Sequence, residues 1–390
     1  MQNTYLDYNA TTPLHPELTG YVQSQMLNFG NPSSVHWAGR QAKKTLSQSR
    51  ETISKFLNID PLEIIFTAGG SEANNLALKG IASRLPAGKT EIICSTVEHP
   101  SVMKTMSYLS ERGFHIRWLD VSQDGLIDLK QLDNLLNEKT ALVSVQLVNN
   151  EVGSIFPLKE ISARAKKFGA LVHSDMVQAL GKIPIDLKDL GVDLASFAAH
   201  KFYSLKGAGL LYVKRGTHLD PVTHGGGQER SRRAGTENVL AIGTFAQAIR
   251  HLGPQIIEQT EKLRTLRDQL QTKILSEITG TSVNGLNENR VSNTLNISFE
   301  NVDGETLLIN LDTRGFAVSS GAACSSGSNE PSPVLRAMGF SVNRANQSLR
   351  ISLGWLTTQD EIDQFFSNLV EALKQIRNSY KTNEFERVLA

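Results

Sequence analysis

The sequence predicts an α/β protein, a mostly parallel sheet flanked by helices, with a smaller α+β domain toward the C-terminus. Three observations carry this. Between residues 63 and 213, apolar runs of strand length alternate with amphipathic stretches of helix length, the pattern of a sheet covered by helices on both faces. The first of these runs ends in a glycine turn that opens directly into a helix. After Val213 the alternation stops, and a Gly/Arg-rich loop and a long helical pattern intervene before strands resume near Asn293.

The elements follow in order. Tyr5–Pro13 begins as a short strand and ends in a turn, and Pro13–Phe29 reads as a helix. Asn31-Pro32-Ser33-Ser34 is loop chemistry. His36–Leu57 is helical, with Ala42, Leu46, Ile53 and Leu57 near one face. A strand from Glu63 enters Gly69-Gly70-Ser71, and a helix follows to about Arg84. Strands at Glu91–Ser95, Phe114–Leu119, Ala141–Val148 and Ala170–His173 alternate with helices at Pro100–Arg112, Asp128–Asn137 and Pro157–Phe168. Leu194–Ala199 and Gly209–Val213 read as two strands joined by a turn. Glu237–Leu252 and Ile256–Ile278 are helical. Beyond them lie strands near Asn293–Phe299, Phe316 and Ser348–Leu353, a helix from Gly304, and a terminal helix from about Thr358 to Asn378. The expected division is a large domain over residues 13–255, with 1–12 and 256–390 forming the smaller one.

Bulk properties narrow the function. The 390 residues suit a two-domain enzyme, and 40 Lys and Arg against 39 Asp and Glu give a net charge of +1. No basic tract argues for nucleic acid, and no apolar run is long enough to span a membrane. The N-terminus has neither a basic nor an apolar leader region, so the expected compartment is cytoplasmic. Two cysteines make no disulfide framework, and Cys94, inside the run Ile92-Ile93-Cys94, reads as a buried inert thiol. Nine histidines without CxxC or HxxxH spacing give no metal site.

Polar clusters fall where the strands end: His99, then Asn149-Asn150-Glu151, then Ser174-Asp175 with Gln178, then His200-Lys201. Ligands of open α/β sheets sit beyond those carboxyl ends. A lysine at the mouth of an apolar sheet is partly desolvated, which lowers its pKa and frees its amine for imine chemistry. The turn at Gly69-Gly70-Ser71 offers free amides and a helix dipole to a phosphate.

The segment around Lys201 resembles the Schiff-base lysine region of pyridoxal 5'-phosphate (PLP) enzymes of the class V aminotransferase group. Other stretches narrow the resemblance to cysteine desulfurases of the nitrogen-fixation and iron–sulfur type. They are LDYNATTP, NPSSVH, FTAGGSEANNLALKG, EHPSV, VNNEVGSI, HSDMVQALGK, GGGQERSRRAGTEN, SSGAACSSGS and SLRISLG, which together cover essentially the whole chain. The resemblance implies the PLP-dependent transferase fold. It also implies that Lys201 bonds the cofactor, that Asp175 pairs with the pyridine nitrogen, and that Gln178 bonds the phenolic oxygen. His99 would stack on the ring and move protons. Gly70, Ser71 and His200 would hold the phosphate, with Thr236 reaching it from the neighbouring subunit of a homodimer. Asn150 and Arg350 would anchor the substrate carboxylate, and guanidinium suits this because it grips a carboxylate bidentately.

The implied reaction converts L-cysteine to L-alanine, leaving sulfur as a persulfide on Cys324 for an acceptor protein such as an iron–sulfur scaffold. The small residues around Cys324 build little core and are expected to form a mobile loop. Two departures stand out: Ala198 and Ala199 where the family commonly has a serine, and Ser204-Leu205-Lys206-Gly207 where Gly-Pro-Lys-Gly is usual. The first removes one expected phosphate contact. The rival readings are a selenocysteine lyase, another class V PLP lyase or aminotransferase, and a non-enzymatic metal-binding protein.

Overall fold

A computed structural model describes residues 3–286, 288–320 and 330–389, side chains of 380–389 excepted. Cys324 and the expected loop around it lie outside the described residues.

Seven strands form the main sheet: β2 (Ile64–Thr67), β3 (Glu91–Ser95), β4 (His115–Leu119), β5 (Thr140–Ser144), β6 (Leu171–Asp175), β7 (Leu194–Ala198) and β8 (Gly209–Val213). Their spatial order is β2-β8-β7-β6-β5-β3-β4. Every neighbouring pair from β7 through to β4 is parallel, whereas β8 runs antiparallel to both β7 and β2. β8 follows β7 after a short excursion rather than a crossover helix, and such a connection can return only antiparallel. Strands β2, β5, β7 and β8 are buried along their whole length, as continuous Val, Ile, Leu and Ala runs require when helices cover both faces.

Two smaller sheets accompany it. β10 (Thr294–Phe299) lies between β9 (Thr281–Val283) and β12 (Ser348–Ser352), all antiparallel, and β1 (Thr4–Tyr5) pairs in parallel with β11 (Phe316–Ala317). β1 thus joins the chain's opening residues to strands some three hundred positions later. β9 was absent from the sequence reading because Thr281-Ser282-Val283 is too short to show a period.

Helix positions agree with expectation more closely than helix lengths. α1 (Thr19–Gln25) occupies only the middle of Pro13–Phe29, after a 3-10 turn at Pro16–Leu18. α2 (Trp37–Phe56) is capped by the His36 side chain and buries Ala42, Leu46 and Ile53. It packs against the helix Val239–Leu252. α3 (Gly70–Ala82) and α4 (Pro100–Ser110) start at the ends of β2 and β3. The terminal helix is longer than expected, Gln359–Leu389.

Cys94 is completely buried on β3, and burial pushes its thiol well above the ordinary range, with Glu98 adding to the shift. Glu98, just beyond β3, is buried as well. Its Oε1 accepts from Ser95 Oγ at 2.5 Å and from the Gln146 N–H at 2.7 Å. Burial raises its pKa to about 8; those two hydrogen bonds pull it down and the charge of Asp175 pushes it up. An acid with a raised folded pKa holds its proton more tightly when folded. Its stabilising effect is therefore complete below the unfolded value near 4.5 and is lost as pH climbs through about 8. Glu98→Gln imitates the protonated acid. It is expected to melt close to the wild type in mildly acidic buffer and several degrees above it in alkaline buffer, as read by calorimetry across the pH range.

Candidate active site

The carboxyl ends of β2, β3, β5, β6 and β7 deliver side chains to one cavity of about 300 Å³. Gly70, Ser71, His99, Asn150, Asp175, Gln178, His200, Lys201 and Arg350, nine of the residues singled out from sequence, all line it.

Lys201 follows β7 in a single 3-10 turn, Ala199–Lys201. Its Nζ donates to the carbonyls of Asn9 and Ala10, each at 2.6 Å. Beside it, His200 Nδ1 lies 3.0 Å from Thr11 Oγ1, and the His200 carbonyl accepts from both the N–H and the hydroxyl of Thr12. Burial, then the charges of Lys201 and Lys206, drive the His200 imidazole down to about 4, so it is neutral at physiological pH.

Asp175 closes β6 with its side chain buried. Oδ1 accepts from the Val177 N–H at 2.9 Å and Oδ2 from Asn74 Nδ2 at 2.7 Å, both neutral donors. Asn74, on α3, also donates to Ser101 Oγ at 2.9 Å. Ser101 Oγ lies 2.8 Å from His99 Nδ1, which also accepts from the Ser101 N–H at 3.1 Å. A chain of hydrogen bonds thus runs from Asp175 through Asn74 and Ser101 to His99. With Nδ1 accepting, a neutral His99 ring carries its proton on Nε2.

The N-terminus of α3 faces the same space. Its cap, Gly69, has no side chain to offer, which leaves the first-turn amides of Gly70 and Ser71 for an anion. A Cβ on Gly70 would come within 2.6 Å of Val177 Cγ2, so glycine is what lets this helix end approach the residues after Asp175.

Among the described residues Arg350 is the largest fully buried side chain. Its NH2 pairs with Asp7 Oδ1 at 2.7 Å, and its NH1 donates to the Asn150 carbonyl at 3.2 Å. Gln178 donates from Nε2 to the Asn9 carbonyl at 2.9 Å. Thr236 is exposed, on the loop that follows three consecutive left-handed residues, Glu229, Arg230 and Ser231, and it does not line the cavity of its own chain. The Ala198 and Ala199 departures are both buried, and Ala198 forms part of the cavity wall.

Four polar residues at this site escaped individual assignment: Asn9, Asn74, Gln146 and Lys182. Asn9, Asn74 and Lys182 stand inside matching motifs. Their partners lie up to 343 positions away, which no local pattern reveals. Among the described residues there is no cluster of three or more His, Cys, Asp or Glu able to hold a metal, and no helix long and apolar enough to cross a membrane.

Residues 4–365 match the family model for Aminotransferase class-V. The cysteine desulfurase IscS of Dictyoglomus turgidum is 41% identical over 377 residues, which span 96% of each chain. A solved NifS-like protein superposes with a TM-score of 0.90 at 36% identity, over 96% of this chain and 100% of its own. The structure described as SspA in complex with cysteine gives 0.79 at 34% identity, over 90% and 98%. This chain belongs to the class V aminotransferase family, among the cysteine desulfurases.

Proposed function

We propose that the protein is a PLP-dependent cysteine desulfurase that takes sulfur from L-cysteine, releases L-alanine, and passes the sulfur from Cys324 to an acceptor protein, such as an iron–sulfur scaffold. The observation that carries this is the convergence on one cavity of Lys201, the carboxylate of Asp175, the open N-terminus of α3 and the guanidinium of Arg350. These residues fit PLP. Asp175 is a buried carboxylate satisfied only by neutral donors and suits a protonated pyridine nitrogen. The Gly70–Ser71 amides suit a phosphate, with His200 beside them. Lys201 is the amine available for a covalent bond to the cofactor, and His99 supplies a ring to stack on it.

Bound there, PLP supplies an electron sink for charge developing on the substrate carbon. The protein's residues supply the rest. Arg350 and Asn150 hold the substrate carboxylate and so present its Cα to Lys201. With PLP bound and the substrate seated, Lys201 Nζ would be the base that takes the Cα proton. Cys324, as thiolate, attacks the substrate sulfur. An Sγ–S bond forms, the Cβ–S bond breaks, and the carbon left behind keeps the electron pair and is protonated, giving alanine. His99 is placed to pass such protons. An ordinary thiol is only a few per cent ionised at neutral pH, so Cys324 needs a base or a depressed pKa.

In this reading residues 13–255 bind the cofactor, and residues 1–12 with 256–390 form the smaller domain. Thr236, which does not line its own cavity, contributes to the phosphate site of the second subunit of a homodimer, and the enzyme works in the cytoplasm. The deciding experiment is an absorption spectrum of the purified protein with PLP, before and after L-cysteine, followed by assays of alanine and sulfide. The wild type should show a visible band that L-cysteine alters, with both products formed and no keto acid required. Lys201→Ala should lose the borohydride-sensitive band, and an intact reducible band in that variant would reject Lys201.

Arg350→Lys replaces a forked donor by a point charge. The KM for cysteine is expected to rise at least about tenfold, with the spectrum of the substrate-free enzyme unchanged. Steady-state kinetics decide this, and an unaltered KM would remove Arg350 from the carboxylate site.

Cys324→Ala separates the amino-acid chemistry from the sulfur chemistry. L-cysteine should still perturb the spectrum, while multiple-turnover desulfuration falls to near background, because water or free thiol replaces an oriented nucleophile poorly. Radiolabelled sulfur from cysteine should attach to the wild type, come off with reductant, and be absent from the variant. Cys94→Ala, which changes a buried thiol that does not line the cavity, should keep both labelling and turnover.

A further inference from the structure

Gln178 lines the cavity, and an amide has two unlike ends: an oxygen that only accepts and a nitrogen that only donates. Which end faces a ligand depends on what holds the other. Gln178 Oε1 accepts from Lys182 Nζ, and Nε2 donates one of its two hydrogens to the Asn9 carbonyl at 2.9 Å. Lys182 Nζ also donates to Asn9 Oδ1 at 2.6 Å. Turned over, the amide would set its oxygen against the Asn9 carbonyl oxygen, a mismatch, and would lose the hydrogen bond that Lys182 donates.

The setting of Lys182 explains why it serves here as a donor and not as half of an ion pair. The two charges that act on its amine, Lys201 and Arg350, are both positive, and burial together with this repulsion pushes its pKa well below the ordinary lysine range. Its partners are neutral side-chain oxygens. A neutral amine still carries N–H bonds, so the donation survives loss of the proton. The turn that delivers Lys182 is closed by Gly181 at φ +78, where an added Cβ would sit 2.2 Å from the Phe202 ring.

We propose that Lys182 is a positioning residue: it fixes the Gln178 amide with its NH2 toward the cavity, so that Gln178 presents a donor, and never an acceptor, to the phenolic oxygen of the cofactor. This rests on the reading of the cavity as a PLP site. Lys182 acts through Gln178 and touches neither cofactor nor substrate.

The test is the pH midpoint of the visible absorption band of the PLP-loaded protein, measured for the wild type, Lys182→Met, Gln178→Leu and the double variant. Lys182→Met should move the midpoint by about half a pH unit or more, in the same direction as Gln178→Leu, and the double variant should move it no further than Gln178→Leu alone. Lys182→Arg, which keeps the donor, should return the midpoint toward the wild-type value, as a purely structural role would not. Where Lys182→Met fails to fold, Lys182→Gln, whose shorter amide reaches one partner at most, carries the same comparison with the same expected direction. A wild-type midpoint in the variant, or shifts that add in the double variant, overturns the inference while leaving the PLP reading intact. Absence of a visible band in the PLP-treated wild type overturns that reading, and the inference with it.

Discussion

Asn9 is the constraint on which the site depends. It is buried, and every polar atom it owns is used. Its N–H donates to Ser352 Oγ at 3.0 Å, and its side-chain nitrogen donates to the Asn150 carbonyl at 3.1 Å and Thr294 Oγ1 at 2.9 Å. Its side-chain oxygen accepts from Lys182 and Asn293, and its carbonyl from Lys201 and Gln178. One residue of the opening segment therefore joins the end of β6, the turn after β7, the loop after β5, and strands β10 and β12. Each of these buried groups is costly to leave unpaired, so the network holds as a unit or fails as one. The main sheet supplies the strand ends, but the N-terminal segment fixes the polar groups at them in relation to one another.

Electrostatics follow from this arrangement. The cavity gathers Lys201 and Arg350, with Lys182 just behind, whereas Asp175 is the one acidic residue among the described residues that line it. Two cations against one carboxylate along the wall of a confined space favour an anionic ligand, and a phosphate or a carboxylate is such a load. Burial first, and then the charges of Lys201 and Lys206, keep His200 neutral, so that it serves as a polar ring and not as a further charge. Asp7 sits outside the cavity wall and offsets Arg350 from behind, which is how a fully buried guanidinium is tolerated.

The sequence displayed the sheet because buried parallel strands are written as continuous apolar runs, and it displayed strand-end residues such as Asp175 and Lys201 because each directly follows such a run. The antiparallel β8 was legible only as the partner of β7 across a turn, and helix ends were blurred by a residue or more, as at α1. The residues that orient the site were not legible. Asn74 looks like any polar residue of a helix's first turns until Asp175 is brought to it, and Lys182 looks like a surface lysine at the end of a turn. What specifies their roles is a meeting across the fold, between positions 101 apart for Asn74 and Asp175 and 173 apart for Lys182 and Asn9. The resemblance to known desulfurases marked the motifs that contain these residues without assigning them a task.

Arg350 also ties the two halves of the proposed chemistry together. Its side chain lies at the cavity, and its backbone pairs in both directions with Ser319, five positions before Cys324. On the far side, Ser332 donates to Glu151 Oε2 at 2.5 Å and caps the helix Pro333–Ala337. Glu151 is the neighbour of Asn150. Burial lifts its carboxyl to about 7, against the pull of the Ser332 hydroxyl and the Arg350 charge. The chain on either side of Cys324 is therefore pinned to Arg350 itself and to the residue beside Asn150, the two proposed carboxylate anchors. Ser319 and Ser332, described residues on either side of Cys324 in sequence, are thus held to one group proposed to anchor the substrate carboxylate and to the neighbour of the other, so the frame that would orient the substrate also fixes where the chain leaves and re-enters the described structure.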